Sequence, residues 1–487
     1  MPKAPTKDSQ APAKPSVRPD APPTSRLGRI ARLTALAPRA LPMASEAVKR
    51  AVGMRRTEDE IEEARKKTLE SAKKTAKAML KTLGEMKGLP LKLGQMASYI
   101  DGLAPPGYEE KFQETLKRLQ AKAPPLSSSA AVKVVTSELG APPDQVFETW
   151  EKEPFAAASI GQVHRALTRG GDLVAVKVQY PGIDKAIEND LKSLSMLESM
   201  IAPVGRRYHT KETLDEVKAV FLAELDYANE AETADTFRRI HEGDSEIVIP
   251  RVHHSLTTRR VLTLDFVEGQ DYASFCAEAS QDDKNAAGQT IWRFMMRALY
   301  KHALLYADPH PGNYRFLGGG KVAFLDFGCS KKMPEHLIEG MRETLVAEQE
   351  GRWADFERAC VRVFGFDPSD PEAFELYTNY TKLVTMPPVV DRNFKFTHEY
   401  AREAVAYLVR HGKKIVLKPD EKMPHLPKPI HMPTDHTFVN RLQWGLYSVL
   451  AGLNAEANWR RISDPWIRGK LAESLAPGEI AQRPRPS

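Results

Sequence analysis

The chain has little cysteine. Its 487 residues include three cysteines, Cys276, Cys329 and Cys360, and no two of them form a CxxC pair. Cysteines scattered in this way argue against a disulfide framework and against a zinc site built from cysteine pairs, and they are typical of a reducing compartment. The thirteen histidines contain no HExxH motif, which excludes that pattern of zinc protease.

Long apolar runs are also missing. A membrane-spanning helix needs about 20 consecutive apolar residues, and the best stretch, over 444–453, is too short. The N-terminus lacks the apolar core and the cleavage site of a signal peptide. We therefore expect a cytoplasmic protein without a transmembrane helix, whose only membrane contact would be peripheral.

Neither sign of charge is in large excess. The formal net charge is +6, from 70 lysines and arginines against 64 aspartates and glutamates. No basic run is interleaved with aromatic residues, so we expect no nucleic-acid partner. A hydrophobic content of 42% with 28% charged residues is that of a globular protein.

The N-terminal quarter is predicted to be a tail followed by helices. Residues 1–25 are rich in proline, alanine and lysine and are predicted to be disordered. The arginine-rich segment RLGRIARLTALAPRAL fits either a basic helix on an anionic membrane surface or a frayed helix docked on the protein. A capping box at Thr57 and Glu60 opens a long amphipathic helical pattern, and helical patterns continue to about Leu139.

The pattern changes to short β-branched runs at Val146. QVHRALT and LVAVKVQY, separated by RGGD, predict a hairpin. A second strand pair is expected around RVLTLDFVEG, and NYRFLGGGKVAFLDFG predicts a third strand-turn-strand unit. The remainder is mainly helical, and the helices are predicted over 335–364, 371–384, 397–410 and 437–458.

These patterns predict an α+β fold with two lobes. A helical extension over 26–145 would precede a small β-rich lobe over 146–269 and a helical lobe over 270–475, with a tail over 476–487. The apolar face of the C-terminal stretch, which is flanked by tryptophans, fits core packing or contact with a partner or a membrane. Small ligands bind preferentially between such lobes.

A lysine in the first hairpin is a candidate for phosphate binding. In LVAVKVQY the valines face one side of the strand and Lys177 faces the other. Such a lysine either reaches nucleotide phosphates or is an ordinary solvated side chain. The segment AELDYANEAETAD could supply its carboxylate partner, or it could form an exposed acidic helix face. The candidate acids of this segment are Glu224, Asp226, Glu230 and Glu232.

The loop YADPHPGNYRF is the second candidate. Its two prolines fix φ and remove backbone donors, which predicts a rigid loop that presents Asp308 and Asn313. FLDFG then places Asp326 directly after a strand. The order of a strand lysine, Asp-x4-Asn and Asp-Phe-Gly matches the kinase signatures. Asp308 would orient or deprotonate a nucleophile, and Asn313 and Asp326 would hold magnesium.

Six sequence motifs together carry a family resemblance. AAASIGQVHRA, VAVKVQYPG, KLGQ, ELDYANEA, ADPHPGN and DFG resemble the UbiB family of atypical kinases, also called AarF or ADCK-like. The resemblance covers roughly residues 25–330 and implies a protein-kinase-like fold. Tyr306 and Ala307 stand where typical kinases carry His-Arg, a substitution that the family shares. Family members often have membrane-spanning helices at one end, and this sequence has none.

The resemblance implies a role for each motif. Lys177 would pair with Glu230 and act with Asp308 in catalysis, while the backbone from Asp265 to Val267 would receive adenine. The residues that replace the usual glycine-rich phosphate loop would be Ala156, Ala157, Ala158 and Ser159. Since alanine prevents the backbone from closing as tightly as glycine allows, we expect nucleotide binding to differ from that of a typical kinase.

The Lys-x-Gly-Gln element is implied to be regulatory. Lys92, Gly94 and Gln95 would lie across the cleft and occlude the place where a protein substrate docks. Lys92 would approach Glu224 and Asp226, and a lysine between two carboxylates in a partly dry cleft forms a paired network.

The implied function is an atypical kinase or ATPase that uses ATP and Mg²⁺ and supports isoprenoid-quinone or other lipid metabolism. Lipid or membrane surfaces and quinone-biosynthesis proteins would be its further partners. The alternative is a nucleotide-gated module that binds lipid or protein with little or no turnover, which the alanine-rich loop and the occluding helix favour. A small-molecule kinase of the aminoglycoside or choline type would share Asp-x4-Asn but would not explain Lys-x-Gly-Gln.

Overall fold

The structure is a computed structural model that describes residues 127–158, 160–192, 222–416 and 434–469. The predicted tails, the capping-box helix and the element with Lys92, Gly94 and Gln95 lie outside the described residues, as does Ser159. The described part combines a small sheet with a larger set of helices, which confirms the predicted α+β class.

Most of the strands are short and occur before residue 333. They are β1 (Phe147–Trp150), β2 (Ala156–Ala157), β3 (Gly161–Thr168), β4 (Leu173–Gln179), β5 (Ile247–Val248), β6 (Val261–Asp265), β7 (Leu304–Tyr306), β8 (Tyr314–Gly318), β9 (Lys321–Phe324), β10 (Ser330–Lys332), β11 (Phe394–Lys395) and β12 (Glu456–Ala457).

Most of the helices follow the last strand of the small lobe. They are α1 (Ser128–Leu139), α2 (Pro143–Val146), α3 (Tyr227–Ile240), α4 (Tyr272–Glu278), α5 (Gln281–Met296), α6 (Glu335–Gln349), α7 (Trp353–Phe364), α8 (Pro371–Val389), α9 (His398–Val416), α10 (Thr434–Gly452) and α11 (Trp459–Ile467). Helix α5 continues into a π-helical turn over Arg297–Lys301. Among the described helices, none is long and apolar enough to cross a membrane.

An antiparallel sheet forms the small lobe. Its strands run in the order β1-β3-β4-β6, and β2 pairs with the outer part of β3. The predicted hairpin of β3 and β4 is present, and Gly171 of its turn has φ +87°, which suits glycine. The segment RVLTLDFVEG forms the single strand β6 instead of the expected strand pair, because its second half is the linker to the helical lobe.

The valines of β4 form the core of the small lobe. Val174, Val176 and Val178 are fully buried and share one apolar cluster with Val134 and Val135 of α1. Successive side chains of a strand point to opposite faces. Lys177 therefore faces away from this core, toward the second lobe.

The two lobes meet at the linker and at the hairpin β8–β9. Gln270 and Phe316 exchange two backbone hydrogen bonds, at 2.9 and 3.0 Å. A Cβ on Gly269 would lie 2.9 Å from the carbonyl oxygen of Phe316, so the linker can lie against β8 only because this residue is glycine. This contact fixes where the linker passes the loop that precedes β8.

The helical lobe differs from the prediction at three boundaries. The helix predicted over 335–364 is two helices, α6 and α7, since the chain turns at Gly351 with φ +67°. The helix predicted over 437–458 ends at Gly452 and is followed by β12, which pairs with β11. Helix α8 continues to Val389 although it contains Pro387 and Pro388.

Candidate active site

Four side chains from three separate motifs line one cleft between the lobes. Lys177, Asp308, Asn313 and Asp326 all border this cleft, which has a volume of about 470 Å³. The alanine-rich loop and the linker after β6 form its other walls. The structure therefore brings together the four side chains that the sequence motifs predict to form one site, while their chemical roles stay predictions.

Lys177 lies at the centre of an ion network. Its Nζ donates to both carboxylate oxygens of Glu230, at 3.0 and 3.1 Å, and to Oδ2 of Asp326 at 3.1 Å. The pair of Lys177 and Glu230 that the resemblance implies is thus in contact. The additional contact with Asp326 ties the small lobe directly to the Asp-Phe-Gly segment.

The charges in this network oppose the cost of burial. Burial by itself would lower the pKa of Lys177, but Asp326 and Glu230 raise it well above its ordinary value, so the ammonium keeps its proton. For Glu230 burial is the larger effect and raises the pKa, although Lys177 acts in the other direction. Both carboxylate oxygens of Glu230 accept from the ammonium, which is the geometry of an ion pair.

Helix α3 positions Glu230. The helix begins after Asp226, whose carboxylate accepts a hydrogen bond from the backbone N–H of Asn229 at 3.1 Å and so caps it. Glu230 is in the first turn, 2% exposed, and its Oε1 also accepts from the backbone N–H of Phe327 at 3.4 Å. The predicted regulatory residue Asp226 therefore has a capping function in the described structure, while Glu224 is buried and lines the cleft.

The proline-containing loop holds Asp308 and Asn313 together. The Asn313 side-chain nitrogen donates to the backbone oxygen of Asp308 at 3.0 Å, and Leu325 N donates to the Asn313 carbonyl at 3.0 Å. A 3₁₀ turn over Pro311–Asn313 shortens the loop, and its cap His310 accepts from Gly312 N at 2.9 Å. These bonds position both candidate groups on a stiff segment, as the two prolines predict.

Asp326 begins a sharp turn after β9. Its Oδ1 accepts from the backbone N–H of Gly328 at 3.1 Å, while its Oδ2 contacts Lys177. Across the ranges that the structure describes, no group of three or more His, Cys, Asp and Glu side chains is arranged to hold a metal ion. A metal bound by Asp326 and Asn313 would thus need further oxygen ligands from phosphates and water, which is how magnesium usually binds.

The alanine-rich loop covers one side of the cleft. Ala156 and Ala157 pair with Val163 and Gln162 as β2, and Ala158 N donates to the Gly161 carbonyl at 2.8 Å. Together these three alanines line the cleft.

The linker forms the far wall. The Asp265 carboxylate accepts from His253 at 2.7 Å and from Arg251 at 3.3 Å, and these hydrogen bonds oppose burial and lower its pKa. Phe266 N donates to the Leu173 carbonyl at 2.9 Å. Val267 lines the cleft, and its contact with a base stays a prediction.

Several residues of the site were not predicted. The Tyr227 ring lies beneath the Lys177 ammonium, with Nζ 4.8 Å from its centroid. Arg165, Phe266 and Arg315 line the end of the cleft near the linker. Arg315 could have been found from strand alternation, because it lies between the apolar Tyr314 and Phe316 in β8 and so faces away from the core that they enter; the position of Tyr227 depends on tertiary packing.

Comparison with known proteins assigns the chain to a family. The family model of the ABC1 atypical kinase-like domain matches residues 118–356. The protein slr0889 of Synechocystis is 31% identical over 286 residues, which are 56% of this chain and 69% of that protein. The chain belongs to the UbiB, or ABC1, family of atypical kinases. The resemblance read from the six motifs is therefore confirmed.

Two other members are named atypical kinases of mitochondria. COQ8 of Saccharomyces cerevisiae is 32% identical over 262 residues, 54% of this chain and 52% of that protein. COQ8B of Danio rerio is 30% identical over 279 residues, 56% of this chain and 44% of that protein. The match spans about half the length of these two relatives.

A solved structure shares the fold. The complex of Rv3197 with erythromycin from Mycobacterium tuberculosis superposes with a TM-score of 0.57 at 24% identity, over 84% of this chain and 98% of that one. At this identity the likeness concerns the fold alone. With the family match, it confirms the predicted two-lobed kinase-like architecture.

Proposed function

We propose that the cleft binds ATP with Mg²⁺ and that this UbiB protein transfers or hydrolyses the terminal phosphoryl group. The observation that carries the proposal is the convergence of Lys177, Glu230, Asp308, Asn313 and Asp326 on one cleft. Phosphoryl transfer needs positioning and charge neutralisation, not covalent chemistry by the protein.

The residues present fit a nucleotide with its metal. The Lys177 ammonium is fixed by two carboxylates and points into the cleft, where it can neutralise phosphate oxygens. The Asp326 carboxylate and the Asn313 amide are hard oxygen donors on the opposite wall, and magnesium completes such sets with phosphate oxygens. The ion would reduce the repulsion between the phosphates and the attacking group.

Asp308 is proposed to act on the nucleophile. It is 4% exposed, lines the cleft and lies on the loop stiffened by Pro309 and Pro311. A carboxylate held in this way can accept a hydrogen bond from a hydroxyl or a water and align it for attack. The acceptor is proposed to be water, a small molecule or a lipid-linked compound.

The biological role is proposed from the family. We assign the protein to isoprenoid-quinone or other lipid metabolism, with a lipid or membrane surface and quinone-biosynthesis proteins as partners. Similarity to COQ8 and COQ8B supports this assignment, and both of those proteins are named atypical kinases.

A second function is a nucleotide-gated binding module with little turnover. The observation that favours it is the contact between Lys177 and Asp326. Because Lys177 already occupies one carboxylate oxygen of Asp326, this contact competes with metal binding by the same carboxylate. The alanine-rich wall also lacks the glycines that let a loop close over phosphates.

Nucleotide binding and turnover, measured separately, distinguish these functions. Calorimetry would give the Kd for Mg–ATP, and ADP formation, which reports both transfer and hydrolysis, would be followed with and without liposomes. The test variants are Lys177→Met and Asp326→Asn. Lys192→Met and Asp355→Asn are the matched controls, because both residues lie outside the cleft; Lys192 is exposed, and Asp355 on α7 is partly exposed and pairs with Arg352.

The two functions predict different outcomes. An enzyme loses turnover at least about a hundred-fold in both test variants, because a charge stabilising the transferred group is removed, and both controls retain full activity. A gated module binds Mg–ATP but forms no ADP above background in the wild type. If the wild type binds no nucleotide, or if the test variants match their controls in both assays, both functions are wrong.

A further inference from the structure

An arginine is on the floor of the cleft close to the linker. In β8 the side chains of Tyr314 and Phe316 are buried in the helical lobe, and Arg315 between them lines the cleft. A Cβ on Gly269 of the linker would lie 3.3 Å from the Cβ of Arg315. The side chain of Arg315 therefore starts directly beneath the linker.

Strand register gives the distance between the start of the linker and the phosphate end of the cleft. Asp265, where the linker begins, pairs with Val174 of β4, and Lys177 is three residues further along the same strand. At about 3.3 Å per residue this is a separation of about 10 Å, which a base with its ribose can span. If Lys177 holds phosphates, the base lies near Arg315.

A backbone hydrogen bond holds Arg315 in place. Its Nη1 donates to the backbone carbonyl of Tyr314 at 2.8 Å. Nearby Asp271 caps α4 by accepting from Ser274 N at 2.9 Å, and this bond together with the charge of Arg315 lowers the pKa of the Asp271 carboxyl. Within the described residues the Arg315 guanidinium forms no contact ion pair, so its planar face remains open to a ligand.

The opposite wall already shows this kind of stacking. Cζ of Arg165 lies 4.3 Å from the centroid of the Phe266 ring, and Phe155 packs edge-on against Phe266 with centroids 5.5 Å apart. All three residues line the cleft. The linker end is thus bordered by flat aromatic and guanidinium groups, which suit a flat aromatic ligand.

We propose that Arg315 stacks its guanidinium on the base of the bound nucleotide and makes the site selective for purines. This inference rests on the proposed nucleotide function and adds a residue that sets the preference for the base. A guanidinium is attracted to an aromatic face by cation–π forces and by stacking. The two-ring purines offer it a larger face than the pyrimidines.

The test compares ligands with and without a base. Calorimetry would measure the Kd of Mg-bound ATP, GTP, CTP and inorganic triphosphate for the wild type, Arg315→Met and Arg315→Lys. Arg358→Met, at an exposed arginine of α7, is the matched control. In Arg315→Met we expect ATP and GTP to bind about five-fold more weakly, the size of one cation–π contact.

The same contact predicts how the other two ligands and the lysine variant behave. CTP and triphosphate should change less than about two-fold in Arg315→Met, and Arg315→Lys should fall between it and the wild type because it keeps charge but loses the flat face. The inference is wrong if purine affinity is unchanged, or if triphosphate weakens as much as ATP. If the wild type binds neither ATP nor triphosphate, the proposed function fails as well, so the two failures are distinguishable.

Discussion

At the scale of single residues, an aromatic ring beneath Lys177 helps its two carboxylates to position the ammonium. Tyr227 is fully buried, and the Lys177 ammonium lies over its ring. The hydroxyl of Tyr227 is buried and makes no hydrogen bond within the described residues. A cation over an aromatic face gains about 1–2 kcal/mol when it is partly desolvated, so the ring, not the hydroxyl, helps to position the lysine.

This difference between ring and hydroxyl can be tested with two substitutions. Tyr227→Phe keeps the ring and should leave the Kd for Mg–ATP within about two-fold of the wild type. Tyr227→Leu removes the ring and should weaken binding about ten-fold, in proportion to the lost cation–π energy. Calorimetry measures both. Equal weakening in the two variants would show that the hydroxyl matters instead.

Glu348 gives a pH-dependent contribution to stability. This carboxyl on α6 is 8% exposed and accepts from the Thr385 hydroxyl at 2.6 Å. Burial raises its pKa to about 7 from an ordinary value of 4.5, although Thr385 and Lys382 oppose the shift. The folded state therefore holds this proton more tightly than the unfolded state does, and the associated stability is lost as the pH rises from about 4.5 through 7.

The matching substitution is Glu348→Gln, which can still accept from Thr385. The pKa shift of Glu348 corresponds to about 3 kcal/mol in the free energy of unfolding. At pH 8 the variant should be more stable than the wild type by up to this amount, and the difference should shrink toward pH 4.5. Chemical unfolding at several pH values measures it. A difference that does not vary with pH would contradict the assignment to Glu348.

At the scale of secondary-structure elements, the end of α8 shows how tertiary contacts preserve a helix. Pro387 and Pro388 have no N–H groups, so the carbonyls of Leu383 and Val384 lose their usual partners four residues on. The Tyr400 hydroxyl donates to the Leu383 carbonyl at 2.7 Å. Gln443, at 2.7 Å, and the Tyr447 hydroxyl donate to the Val384 carbonyl.

Removing one of these donors should destabilise the helical lobe. In Tyr400→Phe the Leu383 carbonyl is left without the hydroxyl, and an unsatisfied buried polar group costs about 1–3 kcal/mol. The control is Tyr377→Phe, since within the described structure the Tyr377 hydroxyl makes no hydrogen bond; it should change stability by less than about 0.5 kcal/mol. Urea unfolding compares the two. Equal effects would mean that the proline-containing end of α8 does not depend on Tyr400.

The same helix shows what the sequence could and could not predict. Its start at Pro371 follows from local rules, because Asp370 caps it and proline is favoured in a first turn. Its end was predicted at Val384, since prolines remove donors, and the partners that extend it to Val389 come from α9 and α10. In the candidate site, spaced motifs identified Lys177 and Asp326. Tyr227 contacts Lys177 through tertiary packing, which a local sequence pattern does not predict.

At the scale of the whole molecule, the candidate site is divided between the lobes. Lys177 belongs to the β-sheet, and Asn313 and Asp326 belong to the helical lobe. The linker and the two backbone hydrogen bonds between Gln270 and Phe316 connect the lobes. A ligand held by both walls would therefore stabilise the arrangement of the lobes. The domain boundaries predicted from the sequence are still a prediction.

Ligand-linked stability should therefore depend on the metal as well as the nucleotide. At a hundred times its Kd, a ligand specific for the folded state adds about 2.7 kcal/mol, so Mg–ATP should raise the midpoint of thermal unfolding by several degrees. ATP with a chelator should raise it less, because the phosphates would then meet Asp326 without a neutralising cation. In Asp326→Asn the difference between these two conditions should disappear, while Asp355→Asn should keep it. Equal stabilisation of the wild type with and without magnesium would show that the nucleotide binds through Lys177 and the linker alone, and Asn313 and Asp326 would then not be metal ligands.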